Sequence, residues 1–250
     1  MLRKVAFLLT TILATVITTA VAFAANPSLE AAIINGVKSN NETIDVSSFN
    51  VDPQEAVNTY LQLKMTEPAL FCVDNKVDCT YSGSTAKSLK LKYTVDKSKL
   101  NSMRTEMDKK VEQIANLAKD AKDDVEKARI VHDYLTSNVK YDVTMNSSSV
   151  YDVLMNNKGI CTSYAHTYKL VMDKLNIPCG LSTSVAMAHQ WNTIKVNGNW
   201  YNVDVTYDVT GGGGSNFLKS DNFFKVVGHS NWVNSNGAIC TDTKFDSIFS

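Results

Sequence analysis

Between Gly159 and Asp208 the chain carries Cys161, His189 and Asp204 in that order, three residue types that together can run nucleophilic acyl chemistry. A thiol attacks a carbonyl when it is held as a thiolate. An imidazole can take its proton, and a carboxylate can orient and charge that imidazole. Gly159-Ile160-Cys161 ends a loop, and from Thr162 onward Ala165, Tyr168, Val171, Met172 and Leu175 keep helical spacing. Cys161 is therefore expected in the first turn of a helix. There, unpaired N–H groups and the helix dipole favour a thiolate and can hold a developing oxyanion. A small buried cysteine is the commoner fate of this residue type, so its partners must carry the argument.

His189 opens an alternating run to Val196, and Asn197-Gly198 follows, a strong signal for a two-residue type I′ hairpin turn. That turn sets a register in which Val196 opposes Asn199, Trp191 opposes Asp204 and His189 opposes Thr206. His189 and Asp204 then share one face as diagonal neighbours, roughly 7–8 Å apart at the backbone, within reach of an imidazole–carboxylate bond. A slip of one residue would separate them. Asp208 falls on the same face of an ideal strand, yet it lies past the partner strand, so Asp204 is the expected orienting carboxylate.

Other candidates have plainer readings. His132 and Arg129 read as surface or edge residues of an upstream helix, and His166, one turn from Cys161, as exposed or packed against the loop. Trp191 and Trp200 read as hairpin core or cleft wall. Zinc ligands usually come in close pairs, whereas Cys161, Cys179 and His189 are scattered, so no metal or cofactor site is expected. Gly211 to Gly214 lacks the lysine and helix of a phosphate-binding loop and reads as a flexible connection.

The elements that must position these groups are partly marked by capping residues. Asp52-Pro53-Gln54-Glu55 opens a helix that Glu67-Pro68 ends, and Asp123 with Glu126 opens another that buries Val125, Ala128, Val131 and Leu135. Leu100, Met103, Met107, Val111, Ile114 and Leu117 mark a long amphipathic helix between them. Phe71 to Val73 reads as a short strand, Asp74 to Ser84 as turn-rich, and Leu89 to Val95 as a half-buried strand. Asn26 to Phe49 reads as a loosely held lead-in. Asn138 to Ser149 is a loop leading into the Cys161 region, along the rim of a cleft.

Formal net charge is zero, with 25 basic and 25 acidic residues, so nothing marks a nucleic-acid or anionic membrane partner. Arg3 and Lys4, an apolar run from Val5 to Phe23 and the Ala22-Phe23-Ala24 pattern read as a secretory signal over residues 1–24. No later segment is apolar enough to span a bilayer, so no stable membrane insertion is expected after cleavage. The mature protein is expected to be secreted or held at the cell envelope. The expected organisation is a signal at 1–24, an N-terminal α/β extension at 25–120 and a catalytic domain at 121–250. With Cys161 reserved for chemistry, four of the five cysteines remain, and Cys72 with Cys79 and Cys179 with Cys240 is the simplest of three pairings.

Three blocks carry a resemblance. Gly-x-Cys-x-x-Tyr-Ala (Gly159, Cys161, Tyr164, Ala165), His-x-Trp-Asn (His189, Trp191, Asn192) and Trp-Tyr-x-Val-Asp-x-Thr-x-Asp (Trp200, Tyr201, Val203, Asp204, Thr206, Asp208) resemble the bacterial transglutaminase-like superfamily in order and spacing. The flanks, Asp52 to Tyr93 and Asn222 to Trp232, are similar to secreted Firmicutes members related to cytokinesis and kyphoscoliosis-peptidase proteins. Gln190 departs from the alanine usual at its position, on the face opposite His189. The resemblance implies an α+β papain-like fold, with the Cys161 helix packed on an antiparallel sheet carrying His189 and Asp204. It also implies a Cys-His-Asp triad working through a thioester, with Tyr151 or Tyr164 as candidates for a second oxyanion donor.

The leading expectation is an exported cysteine peptidase or amide hydrolase acting on protein or cell-wall peptide. An acyltransferase that crosslinks glutamine to an amine is the alternative, and a non-catalytic envelope-binding module is a third reading from another class. An intact triad argues against the third.

Overall fold

The computed structural model describes residues 3–5, 26–211 and 215–248, the first of these by backbone alone. The expected signal at 1–24 otherwise lies outside the described residues, as do Gly212 to Gly214. Among the described residues no helix is long and apolar enough to cross a membrane. Packing divides the chain after Ser102 into two compact units, whereas the sequence reading placed the boundary after residue 120.

The first unit is a four-stranded antiparallel sheet with two helices. β1 (Arg3–Val5), α1 (Pro27–Lys38), β2 (Thr43–Asp45), α2 (Pro53–Thr66), β3 (Val73–Ser82) and β4 (Thr85–Tyr93) follow in chain order, and the strands lie in the order β1-β3-β4-β2. Two expectations are corrected here. The lead-in is an ordered helix: the Asn26 side chain accepts the Leu29 N–H at 3.2 Å, Pro27 stands at its first position, and Leu29, Ile33 and Val37 are buried at helical spacing. The turn-rich reading of Asp74 to Ser84 is replaced by β3, whose Val77 and Cys79 are buried and alternate with exposed neighbours. The cap of α2 is as expected, Asp52 Oδ1 accepting the Glu55 N–H at 2.8 Å.

α3 (Leu100–Leu117) leads into the second unit, which continues with α4 (Asp124–Asn138), β5 (Lys140–Tyr141), α5 (Val150–Asn156), β6 (Lys158–Gly159), α6 (Cys161–Lys174), β7 (Cys179–Ser184), β8 (His189–Val196), β9 (Asn199–Val203), α7 (Val205–Thr210), β10 (Phe217–Lys219), α8 (Asp221–Val226) and β11 (Trp232–Asn234). Five strands form an antiparallel sheet in the order β10-β9-β8-β7-β11, with β8 at its centre. The apolar face of α6 packs on β7 and β8, while α4 and α5 pack on α6. This is an α+β arrangement, and it sets the start of α6 against the start of β8. The type I′ turn forms, with Asn197 at φ 52° and Gly198 at φ 85°, and Val196 opposes Asn199.

None of the five cysteines is in a disulfide, so neither expected pair is bonded. The Cys179 sulfur accepts from Asn192 inside the domain, while Cys240 packs beside Asp221.

Candidate active site

Cys161 is the first residue of α6, and the sequence around it leaves that helix start open. The N-cap is Ile160, which has no side-chain acceptor, where Ser, Thr, Asp or Asn would normally bind the first-turn N–H groups. Ser163 Oγ instead accepts the Ile160 N–H at 2.9 Å and donates to the Ser147 carbonyl at 2.9 Å, tying the preceding loop to the helix. Gly159 is required by close packing: a Cβ there would stand 2.6 Å from Val153 Cγ2 and 2.8 Å from Ser163 Oγ. The Cys161 side chain is buried, with its sulfur 3.9 Å from the Ala188 carbonyl. Burial works against a thiolate, but hydrogen bonds from the His189 ring and the Gln190 amide outweigh it, and the thiol pKa lies below its ordinary value.

His189 enters β8 from Ala188, whose φ of 49° is in the left-handed region that a residue with a Cβ seldom adopts. Its Nε2 lies 2.6 Å from Asp204 Oδ2, which leaves Nδ1 as the nitrogen for the thiol. Burial pulls the His189 pKa down, and the bonds to Asp204 and Cys161 more than reverse this, raising it to about 10. Asp204 is fully buried and ionised: burial raises its pKa, while hydrogen bonds from His189 and His229 bring it below the usual value. The sequence-derived register fails at this point. β9 ends at Val203, and Asp204 is the N-cap of α7, its Oδ1 accepting the Tyr207 N–H at 3.0 Å. Asp204 thus reaches His189 from a helix start, and Thr206 opposes nothing in the sheet.

Residues 112–205, a span that holds Cys161, His189 and Asp204, match the model of the transglutaminase-like superfamily. The match covers less than half of the chain and is a similarity of that segment to the superfamily. Among solved structures the chain is similar to a TGase at 13% identity and a TM-score of 0.37, covering 63% of this chain and 48% of that one. It is also similar to a candidate cysteine protease from Cytophaga hutchinsonii, at 17% identity and a TM-score of 0.36, covering 52% of this chain and 57% of that one. A candidate protease from Parabacteroides distasonis is similar at 13% identity and a TM-score of 0.33, over 49% of this chain and 29% of that one. The chain therefore spans less than two thirds of each of these. No curated protein matches.

The second unit holds polar residues whose placement the sequence reading missed. His229 Nε2 lies 2.9 Å from the same Asp204 Oδ2 that His189 contacts. It follows α8, beyond the matched segment, and the one sequence signal for it is that it is one of four histidines. His132 is buried, not at the surface: its Nε2 lies 2.8 Å from Asp208 Oδ2 and its Nδ1 3.0 Å from Asp133 Oδ1. Asp208, the expected rival of Asp204, is turned away on α7 toward His132 and Asn216. His166 is buried as well. Trp191 is fully buried, its Nε1 donating to Asn202, and it stacks on the His189 ring at 5.7 Å between centroids. Gln190 turns to Thr183. Of the candidate oxyanion tyrosines, Tyr164 donates to the Val139 carbonyl and Tyr151 to Glu106, so both hydroxyls are engaged away from the thiol.

Among the described residues, His189, Asp204 and His229 form the group whose ligand atoms lie close enough to hold a metal ion, within 4.8 Å of one another. Both histidines meet a single carboxylate oxygen at 2.6 and 2.9 Å. Those are hydrogen-bond separations.

Proposed function

We propose that the protein is an exported cysteine-dependent amide hydrolase, a peptidase acting on protein or cell-wall peptide through a thioester. The observation that carries this reading is the unbroken chain of contacts from the Cys161 thiol through His189 to Asp204. The thiolate sulfur attacks the carbonyl carbon, and the oxyanion forms at the open start of α6, where backbone N–H groups point outward. The His189 imidazolium then gives its proton to the leaving amine as the C–N bond breaks, leaving a thioester on Cys161. His189, now neutral, takes a proton from water, whose oxygen attacks the thioester and releases the acid and the Cys161 thiolate, restoring the starting ion pair. Asp204 stays ionised throughout and holds the ring. Water is favoured as the acceptor because His189 can activate it directly, whereas transfer to an amine needs a second site to hold that amine. Export rests on the Arg3, Lys4, apolar-run and Ala22-Phe23-Ala24 pattern.

Iodoacetamide labelling near neutral pH tests the thiol: rapid modification of Cys161, lost in His189→Ala, is expected. Equal labelling of both proteins would overturn the reading. Mass spectrometry of a glutamine peptide incubated with and without a primary amine then identifies the acceptor, and exclusively amine-linked product would make the protein a transferase.

A further inference from the structure

His229 is a fully buried histidine that the thioester chemistry does not itself require. Its ring lies against Phe224 at 4.1 Å, Tyr207 at 4.5 Å and Trp191 at 4.9 Å between centroids. Its backbone N–H donates to the Phe224 carbonyl at 2.9 Å, and Gly228 at φ 102° makes the turn that brings it there, so the end of α8 fixes where the ring stands. Nε2 meets Asp204 Oδ2 at 2.9 Å, while Nδ1 is buried and has no hydrogen-bond partner among the described residues.

Asp204 is an acceptor, so His229 Nε2 must carry a proton. The titratable groups facing it are Asp204, at the junction of β9 and α7, Tyr207 of α7 and His189 of β8. On α8, Asp221 is turned to Asn202 and the Cys240 amide, and Lys225 lies over the Trp232 ring.

We infer that His229 is a positioning residue for the proposed reaction, an N–H donor that holds the Asp204 carboxylate ionised and fixes the rotation at which it grips His189. Asp204 then has three N–H donors, from His189, His229 and the Tyr207 amide, which is what allows a carboxylate to stay charged without water. Without the His229 donor, Asp204 binds a proton at a higher pH. The His189 imidazolium then loses its counter-charge, and the thiolate of Cys161 forms later in a titration. The second histidine thus sets the acid limit of the reactive ion pair by acting through Asp204.

This rests on the proposed roles of Cys161 and His189, and the experiment separates the two. His229→Phe keeps ring volume and aromatic contacts and removes the donor; His229→Gln returns an N–H donor near the Nε2 position. Iodoacetamide labelling of Cys161 is followed from pH 4 to 9 in wild type, both variants and His189→Ala. The expected result for His229→Phe is about a tenfold slower reaction at pH 6, with the acid limb of the profile moved to higher pH. His229→Gln should recover much of both. A wild-type profile for His229→Phe, with His189→Ala inactive, assigns His229 to packing and overturns the inference while leaving the thiol chemistry standing. Loss of the difference between wild type and His189→Ala sinks the functional reading first. If His229→Phe does not fold, nitrogen-15 histidine spectra of the wild-type protein decide instead: an Nε2 that carries no proton at pH 6 to 7 overturns the inference, and an Nε2–H hydrogen-bonded to Asp204 upholds it.

Discussion

Two of the histidine–aspartate contacts in the second unit are built alike, and what the other ring nitrogen faces separates them. His189 Nε2 meets Asp204 Oδ2 at 2.6 Å, and His132 Nε2 meets Asp208 Oδ2 at 2.8 Å. Both aspartates belong to the start of α7, Asp204 as its cap and Asp208 one turn on. The difference lies at the other ring nitrogen. In His189 it faces the Cys161 thiol, which can give and take a proton. In His132 it faces Asp133 at 3.0 Å, so that ring is locked between two carboxylates. A histidine with acceptors on both sides holds its proton and joins α4 to α7. One with a carboxylate on one side and a thiol on the other can pass a proton on. A histidine–aspartate pair is thus a structural part until its free nitrogen is given something to react with.

The largest effect that separates the pairs should come from His189→Ala. It leaves Cys161 buried with no cation beside it, so that burial alone raises its pKa. Amide hydrolysis is expected to fall by at least about 10⁴-fold, on the order of 5 kcal/mol of transition-state stabilisation. The thermal midpoint should change little by comparison. Cleavage of a fluorogenic peptide library, run beside calorimetry, measures both, and a variant retaining a tenth of the activity would erase the distinction drawn here.

His132→Ala should reverse that pattern. It leaves the Asp208 carboxylate with Asn216 but without its cation, and breaking a buried pair costs about 3–5 kcal/mol of stability. Labelling of Cys161 in the folded variant should match wild type. The contribution carries a pH signature whose sign follows from the shifts. Burial lowers the His132 pKa, and hydrogen bonds to Asp133 and Asp208 more than offset this, so the net shift is upward. The folded protein then binds a proton that the unfolded chain has lost. The stabilisation is whole below about pH 6.5 and disappears as pH rises through the folded value. Burial raises the Asp133 pKa, and its bond to His132 with the charge of Arg129 reverses this to a net lowering. Its share is present above about pH 4 and is lost as pH falls through the folded value. Urea titrations should find the wild-type to His132→Ala gap widest between about pH 4 and 6.5 and narrower at pH 9; a gap that widens with pH contradicts the assignment.

Asp204→Asn should show intermediate losses on both axes. The carboxylate accepts from two histidines at Oδ2 and from a helix amide at Oδ1. An amide has one oxygen, so whichever way it turns, its own N–H₂ points at an N–H. Loss of the cap costs about 1 kcal/mol, and the misdirected His189 ring should slow labelling by about 10²-fold. Asp208→Asn is the matching control: lower stability with labelling unchanged. Chemical denaturation and labelling rates on the two variants test the contrast.

What the sequence disclosed about these pairs depended on the range of the signal. Local signals were legible: the Asp52 and Asp123 caps, the Asn197-Gly198 turn and the helical spacing after Cys161 all fold as their residues dictate. Val203-Asp204-Val205-Thr206-Tyr207 misled because β-branched and aromatic residues favour strands, whereas the outcome was set by Asp204 closing onto the Tyr207 amide. α1 was passed over although Asn26-Pro27 is a sound helix start, because its buried face is short. His132 with Asp208 and His229 with Asp204 could not be seen at all. Each joins segments remote in the chain, and neither leaves a spacing motif.

The smallest predicted effect concerns how far the structural pair extends. Arg129 Nε lies 2.7 Å from the Asp133 oxygen that His132 also contacts, as an i,i+4 partner on α4. Of the Arg129 side chain 35% is exposed, and of that of Asp133 50%, so water screens most of the attraction. Its guanidinium carbon also stands 5.4 Å from the Phe217 ring centroid, adding a contact independent of charge. Arg129→Ala should therefore cost less than about 1 kcal/mol and move the melting temperature by no more than about 4 °C. Cys161 labelling should stay at the wild-type rate. Arg129→Met keeps part of the packing without the charge, so a melting point midway between wild type and Arg129→Ala would divide the loss between the ring and the carboxylate. A drop as large as that of His132→Ala would mean that Arg129 is an integral third member of the locked pair, and the contrast with His189 would then turn on three charges instead of two.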